Sequence, residues 1–270
     1  MPDATRGRIS GPERHGDMKG TAGELFVDDG GAGQGTPVVF VHSACGDARQ
    51  WAAQLEHVRK QRRAVALDLR GHGRSTLTSD ADFTVEDFSQ DVASVVDGLG
   101  LSRVVLVGHS LGGAVCVAYA AAHPERVAGL FLLDPASDGR EVPKEAAEGM
   151  MAALETDNWT QVIEQYWGTL LEPSTPQVRE QVLGQLRRTQ RAAVKAAMGS
   201  LLKFDPVTAL KRYRGPALSV ITPLNETPGA YHVLVPSLPS KLVTGTGHWV
   251  QLDAPEQVNT LLDGFLATVP

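Results

Sequence analysis

Several stretches of this chain are apolar without a break, and they recur at intervals. Residues 37–42 (PVVFVH), 64–68 (AVALD), 103–108 (RVVLVG), 127–134 (VAGLFLLD), 217–222 (ALSVIT) and 240–244 (SKLVT) each read as a strand. Most lack the polar alternation of a half-exposed strand. That is the pattern of parallel strands covered on both faces. One further strand, ELFVDD, is visible before Pro37. Between the runs the period changes. Thr84 caps a helical pattern in which Asp87 follows three residues later and Val85, Phe88, Val92, Val95 and Leu99 share a face, and Gly100 stops it. The last pattern, 255–267, places Val258, Leu261, Leu262 and Phe265 on one side. Strands alternating with helices predict a doubly wound, mostly parallel sheet.

Residues 137–205 break this rhythm. They hold no strand but four helical patterns, at 143–155, 158–171, 175–188 and 192–203. The first two are acidic (Glu141, Glu145, Glu148, Glu155, Glu164) and the last two basic (Arg179, Arg187, Arg188, Arg191, Lys195). These charges read as solvated helix faces with some mutual attraction. A helical insertion between two strands is expected to cap the strand ends, where open α/β sheets bind ligands. The expected organisation is a polar, disordered tail over 1–20, a core over 21–136 and 206–270, and a helical cap over 137–205.

Composition narrows the partners. The net charge is −6 in 270 residues, which suggests neither a nucleic-acid nor a membrane partner. The longest apolar run is too short to cross a bilayer, and the first 20 residues lack the apolar region of a secretory signal. Two cysteines, Cys45 and Cys116, make no disulfide framework and suit a reducing cytoplasm.

The strongest chemical signal is Gly108-His109-Ser110-Leu111-Gly112, G-x-S-x-G between a strand and a helix of small residues. A tight strand-to-helix turn leaves no room for side chains two residues either side of its centre. Glycines there let the turn lift the Ser110 hydroxyl above the sheet and aim the first free helix amides at whatever bonds to it. The alternative is a glycine-rich packing turn. The run GGAGQG at 30–35 precedes a strand, so it reads as a loop and not a phosphate cradle. No metal-ligand spacing appears and no cofactor is implied.

From Glu24 to the C-terminus the chain resembles the α/β-hydrolase family. The resemblance rests on the elbow, on VVFVHSACGD, on ALDLRGHGRS and on GTGHWVQLDAPEQVN, in that family's order and spacing. It implies an eight-stranded, mostly parallel sheet with helices on both faces and a cap inserted after the sixth strand. It also implies that Ser110 is the nucleophile and His248 the general base. His248 follows a strand in a Gly-rich loop, expected to be exposed and mobile. His42, His72 and His109 read as hydrogen-bonded scaffold; His15, His57, His123 and His232 are assigned no role. The oxyanion hole is expected from the Leu111 and Ala44 amides. Family members usually carry glycine where Ser43 stands. Cys45 beside it reads as a small packing residue.

The acid departs from the family pattern. Its usual slot, after the strand at 217–222, falls on Asn225, and an amide does not stabilise the imidazolium that forms during turnover. Asp134, at the end of another strand, is the first candidate, although an Asp-Pro corner is also a plain strand cap. Glu226 is the second. Asn225 as an orienting amide is the third, and Asp138 is a weaker one on the loop of Asp134.

The resemblance therefore implies a serine hydrolase that cleaves a small, apolar carboxylic ester or related acyl compound through an acyl-enzyme. Trp249, Trp159, Trp167 and Met151 are the expected pocket residues. Lactone opening, carbon–carbon bond hydrolysis and acyl transfer use the same residues, and a ligand-binding protein without turnover is the rival of another class. Haloalkane dehalogenases and epoxide hydrolases are excluded because the elbow carries Ser110 and not aspartate.

Overall fold

The apolar runs pair into one eight-stranded sheet. The computed structural model describes residues 14–77 and 83–269. In chain order the first half contains β1 (Arg14–Gly20), β2 (Gly23–Gly30), β3 (Val38–Val41), α1 (Ala52–Val58), β4 (Ala64–Leu67), α2 (Val85–Gly98), β5 (Val104–His109), α3 (Leu111–Ala122) and β6 (Val127–Leu133). Four helices come next: α4 (Lys144–Ala153), α5 (Trp159–Leu170), α6 (Pro176–Arg188) and α7 (Arg191–Leu201). The chain closes with α8 (Pro206–Arg212), β7 (Ala217–Ile221), the short α9 (Tyr231–Leu234), β8 (Ser240–Leu242), the short α10 (Val250–Asp253) and α11 (Pro255–Leu266). The strand order is β1-β2-β4-β3-β5-β6-β7-β8, with β1, β2 and β4 paired antiparallel and the rest parallel.

The uninterrupted apolar strands have a direct cause. Along β3 and β4, Val39, Val41, Val65 and Leu67 pack with α2 and α3 on one face, while Val38, Phe40, Ala64 and Ala66 pack with α1 and α11 on the other. Both faces are dry, so successive residues are all apolar. The predicted capping box is present: Asp87 N–H donates to Thr84 Oγ1 at 3.1 Å, and Thr84 N–H to the Asp87 carboxylate at 2.8 Å.

One expectation is corrected at the N-terminus. Residues 14–20 are not an unstructured tail but β1, in register with β2 from Arg14↔Asp29 to Gly20↔Gly23. An edge strand needs backbone partners more than apolar side chains, and Met18, packed against the core, is its one apolar anchor. Residues 1–13 of the expected tail lie outside the described residues.

Helices α4 to α7 lie within two residues of their expected bounds. Their opposite charges meet, Arg187 with Glu164 at 2.7 Å and both Arg191 and Lys195 with Glu155. These pairs are largely exposed and contribute little each. What fixes the insertion is apolar: Leu154, Ile163, Trp167, Leu171, Val182, Leu186 and Val194 are buried in the same cluster as α3.

Candidate active site

Three neighbouring strands, β3, β5 and β6, end side by side, with Val41 opposite Gly108 and Gly108 opposite Leu132. The residues just past those ends are Ala44, Ser110 and Asp134. This is the position where ligands sit in open α/β sheets.

Ser110 has φ 53° and ψ −117°, and it stands immediately before α3. A non-glycine residue in this region is strained by an amount of order 1–3 kcal/mol and needs its surroundings to hold it. A side chain at Gly108 would run into the Gly112 backbone, and one at Gly112 into the backbone of Val41 and His42. Those contacts make G-x-S-x-G a steric requirement here. The Leu111 N–H begins α3 and has no acceptor within the helix. Neither it nor the Ala44 N–H donates a hydrogen bond among the described residues.

Asp134 is wholly buried and itself has a positive φ of 41°. Its carboxylate accepts from Thr222 N–H at 2.7 Å, from Thr222 Oγ1 at 3.0 Å and from His248 Nδ1 at 2.6 Å. The other acid candidates make no hydrogen bond to His248 among the described residues. Glu226 is exposed. Asn225 is buried beside the same cavity, and its Nδ2 donates to Pro135 O at 2.5 Å. Asp138 is held by Arg140, at 2.9 and 2.6 Å, and caps the turn after it.

The histidine loop differs from expectation. Thr246, Gly247 and Trp249 are buried, and His248 keeps only 11% of its side chain exposed. The loop is tied down by His248 N–H to Leu170 O at 3.1 Å and by Gly247 N–H to Asp253 at 3.0 Å. The Asp134 contact occupies Nδ1 and leaves Nε2 without a hydrogen-bond partner among the described residues.

His42, His72 and His109 are hydrogen-bonded within the scaffold. His42 Nε2 accepts from Leu69 N–H at 2.9 Å, and His72 Nδ1 bonds to Arg70 O at 2.9 Å. Burial pushes His72 down to about 3. His109 donates from Nε2 to His248 O at 2.9 Å and accepts from Gln251 at Nδ1 at 3.0 Å. Burial, aided by the neighbouring His248, holds it well below the usual histidine range. His72 and His109 thus stay neutral where the unfolded chain takes up protons. Stability is expected to fall as pH drops below about 6.5, by up to about 2.7 kcal/mol per pH unit for the two together. Urea midpoints between neutral pH and pH 5 measure this slope. A flat profile would show that the two rings protonate within the fold.

Ser110, Asp134 and His248 open onto one cavity of about 220 Å³. Trp249 and Trp167 line it, and the insertion adds Tyr166, Leu170, Met198 and Leu201. Two expected pocket residues do not. Met151 packs beside Gly199, and Trp159 against the common core. Trp159 shares the α5 face of Tyr166 and Leu170 but lies about two and three turns before them, and no residue of α4 lines the cavity. Leu170 was missed, though it follows Trp167 on α5 at i+3. Among the described residues no lysine or arginine lines the cavity. Cys45 is buried, and burial raises its thiol far above the ordinary range, which leaves it inert.

A family model described as the alpha/beta hydrolase fold matches residues 36–255. A dihydrolipoyllysine-residue acetyltransferase component of the acetoin cleaving system, from Pseudomonas putida, is 31% identical over 88% of this chain and 65% of its own length. Lipase LipV from Mycobacterium tuberculosis is 38% identical over 48% of this chain and 49% of its own. The chain thus spans about half to two thirds of the length of these relatives. A thermophilic esterase from Thermogutta terrifontis superposes with a TM-score of 0.81 at 26% identity, covering 94% of this chain and 98% of that one.

Proposed function

This chain belongs to the α/β-hydrolase family, and from that premise we propose that it is a serine hydrolase cleaving small, neutral, apolar esters. The observation that carries the reading is the 2.6 Å contact between His248 Nδ1 and buried Asp134, beside a strained Ser110 on the same cavity. Ser110 Oγ attacks the ester carbonyl while His248 Nε2 takes its proton. Asp134 holds the ring in the tautomer with hydrogen on Nδ1 and stabilises the imidazolium. The Leu111 and Ala44 amides receive the developing oxyanion. Collapse of the tetrahedral intermediate breaks the carbon–oxygen bond, and His248 returns the proton to the leaving alcohol. Water then attacks the acyl-enzyme with His248 as base, and the acid leaves with Ser110 restored.

Substrate charge follows from the walls. A carboxylate in this cavity would have no cation to pair with, and an unpaired buried charge is costly. The apolar insertion residues favour hydrocarbon on either side of the ester. A substrate of small to medium size fits the volume. The ligand-binding alternative drew its strength from the amide at 225; a carboxylate from Asp134 removes that motive. Acyl transfer is the second reading, favoured by likeness to the acetyltransferase component. It shares every step up to the acyl-enzyme and differs only in the acceptor.

A p-nitrophenyl ester series from acetate to palmitate tests the proposal. Turnover is expected for the short and medium chains and weak turnover for palmitate. No turnover of any member would overturn it. Adding a short alcohol distinguishes the two acceptors by whether a new ester forms.

A further inference from the structure

The loop that carries the Ala44 amide is unusual at two places. Ser43 stands where glycine is common in the family, and Cys45 has φ 59° without being glycine. Within the loop, Gly46 N–H donates to Ser43 O at 3.0 Å and closes a turn in which Cys45 is the third residue. Around that turn a line of buried side chains runs from the histidine loop to the helical insertion. Trp249 Nε1 donates to Ser43 Oγ at 3.2 Å. Ser43 Oγ donates to Gln50 Oε1 at 3.0 Å. Gln50 Nε2 donates to Gln185 Oε1 on α6 at 2.9 Å. All four residues are at most 3% exposed.

The direction of this line is forced. An indole nitrogen only donates, so Ser43 Oγ must accept from it. The serine proton has Gln50 Oε1 at 3.0 Å and Ala44 O at 3.4 Å within reach and takes the shorter contact; the Ser43 N–H, a donor only, faces the same Gln50 oxygen at 3.4 Å. That fixes which end of the Gln50 amide faces Ser43 and sends its NH2 toward α6. Only an oxygen on Gln185 completes the line. Every link is satisfied in one orientation, so each polarises the next. Gly46, in the same loop, lies against the Gln50 amide, where a side chain would collide with it at 2.6 Å.

We infer that Gln185, through Gln50, is a positioning residue that holds the Ser43–Ala44 segment in the shape its oxyanion role requires. The inference rests on the hydrolase reading above. It makes the helical insertion part of the oxyanion hole's support and not only a wall of the cavity. Gln185 touches no substrate. Its effect reaches the Ala44 amide through Ser43, the adjacent residue.

The test is a double-mutant cycle with two readouts. Gln185→Met keeps length and volume but offers no oxygen. In an otherwise native chain it is expected to lower kcat on p-nitrophenyl butyrate about tenfold with KM within about twofold, and to weaken an alkylboronic acid inhibitor in parallel, because a loosened donor is felt only by the tetrahedral state. In a Ser43→Gly background, where the line is already cut, the same change is expected to cost less than about twofold. Gln185→Glu restores an acceptor, and its second oxygen faces a cavity shared with Arg49, Arg74 and Arg188; kcat should recover to within about threefold of the native enzyme. The second readout needs no turnover. The nitrogen-15 indole resonance of Trp249, assigned with Trp249→Phe, should shift in Gln185→Met and return in Gln185→Glu.

An equal kcat loss in both backgrounds, or an unmoved Trp249 resonance, would overturn the inference. Absence of ester turnover by the native enzyme would instead overturn the hydrolase reading, leaving the resonance to judge the Gln185–Trp249 coupling. Should Gln185→Met not fold, Gln185→Leu takes its place in the same cycle.

Discussion

Asp134→Asn is expected to lower kcat on a short ester by about 10⁴ while leaving the fold intact. That is the size of the effect when the same exchange is made in a serine protease triad, and its cause transfers. An amide facing Nδ1 selects the tautomer with hydrogen on Nε2, which is unable to accept the serine proton. It also gives no charge to stabilise the imidazolium. The surroundings favour folding of the variant, because Asn keeps an oxygen for the Thr222 N–H and the Thr222 hydroxyl is free to turn. The controls are the other carboxylate and amide. Glu226→Gln is expected to change kcat by less than about twofold, since exposed substitutions away from the site have small effects and Glu226 is exposed. Asn225→Asp removes the donor to Pro135 O and sets a second carboxylate near the first; a clear loss is expected, not a gain. If Asp134→Asn retained full rate, the acid would have to be sought elsewhere.

Removal of Ser110 should be still larger in effect, and it carries a second signature. Ser110→Ala is expected to reduce kcat by about 10⁶, the scale seen when a nucleophile is taken from a residue set acting as a unit. Ser110→Gly should be equally inactive but more stable than Ser110→Ala by about 1 kcal/mol, because glycine alone adopts positive φ without strain. The φ of 53° at Ser110 is the basis of that difference. Urea unfolding of the two variants measures it. Equal midpoints would mean that the elbow stores no backbone strain. A gain for glycine would show stability given up at the reacting residue.

These residues also show what the sequence could reveal. The parallel strands were legible because both sheet faces are covered, which turns each strand into an unbroken apolar run. The Thr84–Asp87 capping box was legible because capping is local. So was the elbow, where Gly108 answers to the backbone of Gly112, only four residues away. β1 was hidden because an edge strand is held through its backbone, and RHGDMKG gives no alternation to read. The acid position was legible only as a choice. Asn225 occupies the usual slot, and nothing in the chain says that Asp134, 114 residues before His248, lies 2.6 Å from it. The Gln50–Gln185 bond joins residues 135 apart, and glutamine carries no motif. Pocket residues fared in between. Helical spacing placed an aromatic face on α5, but which residues of it meet the cavity depends on how the insertion docks.

The central claim is that Ser110 is a nucleophile activated by His248. It is tested most directly by treating the folded protein with a fluorophosphonate and locating the adduct by mass spectrometry. The account predicts one phosphonyl group, on Ser110, formed at a rate that falls steeply in His248→Ala and in Asp134→Asn. A folded native protein that takes up no label at Ser110, or labels equally fast without His248, would contradict it.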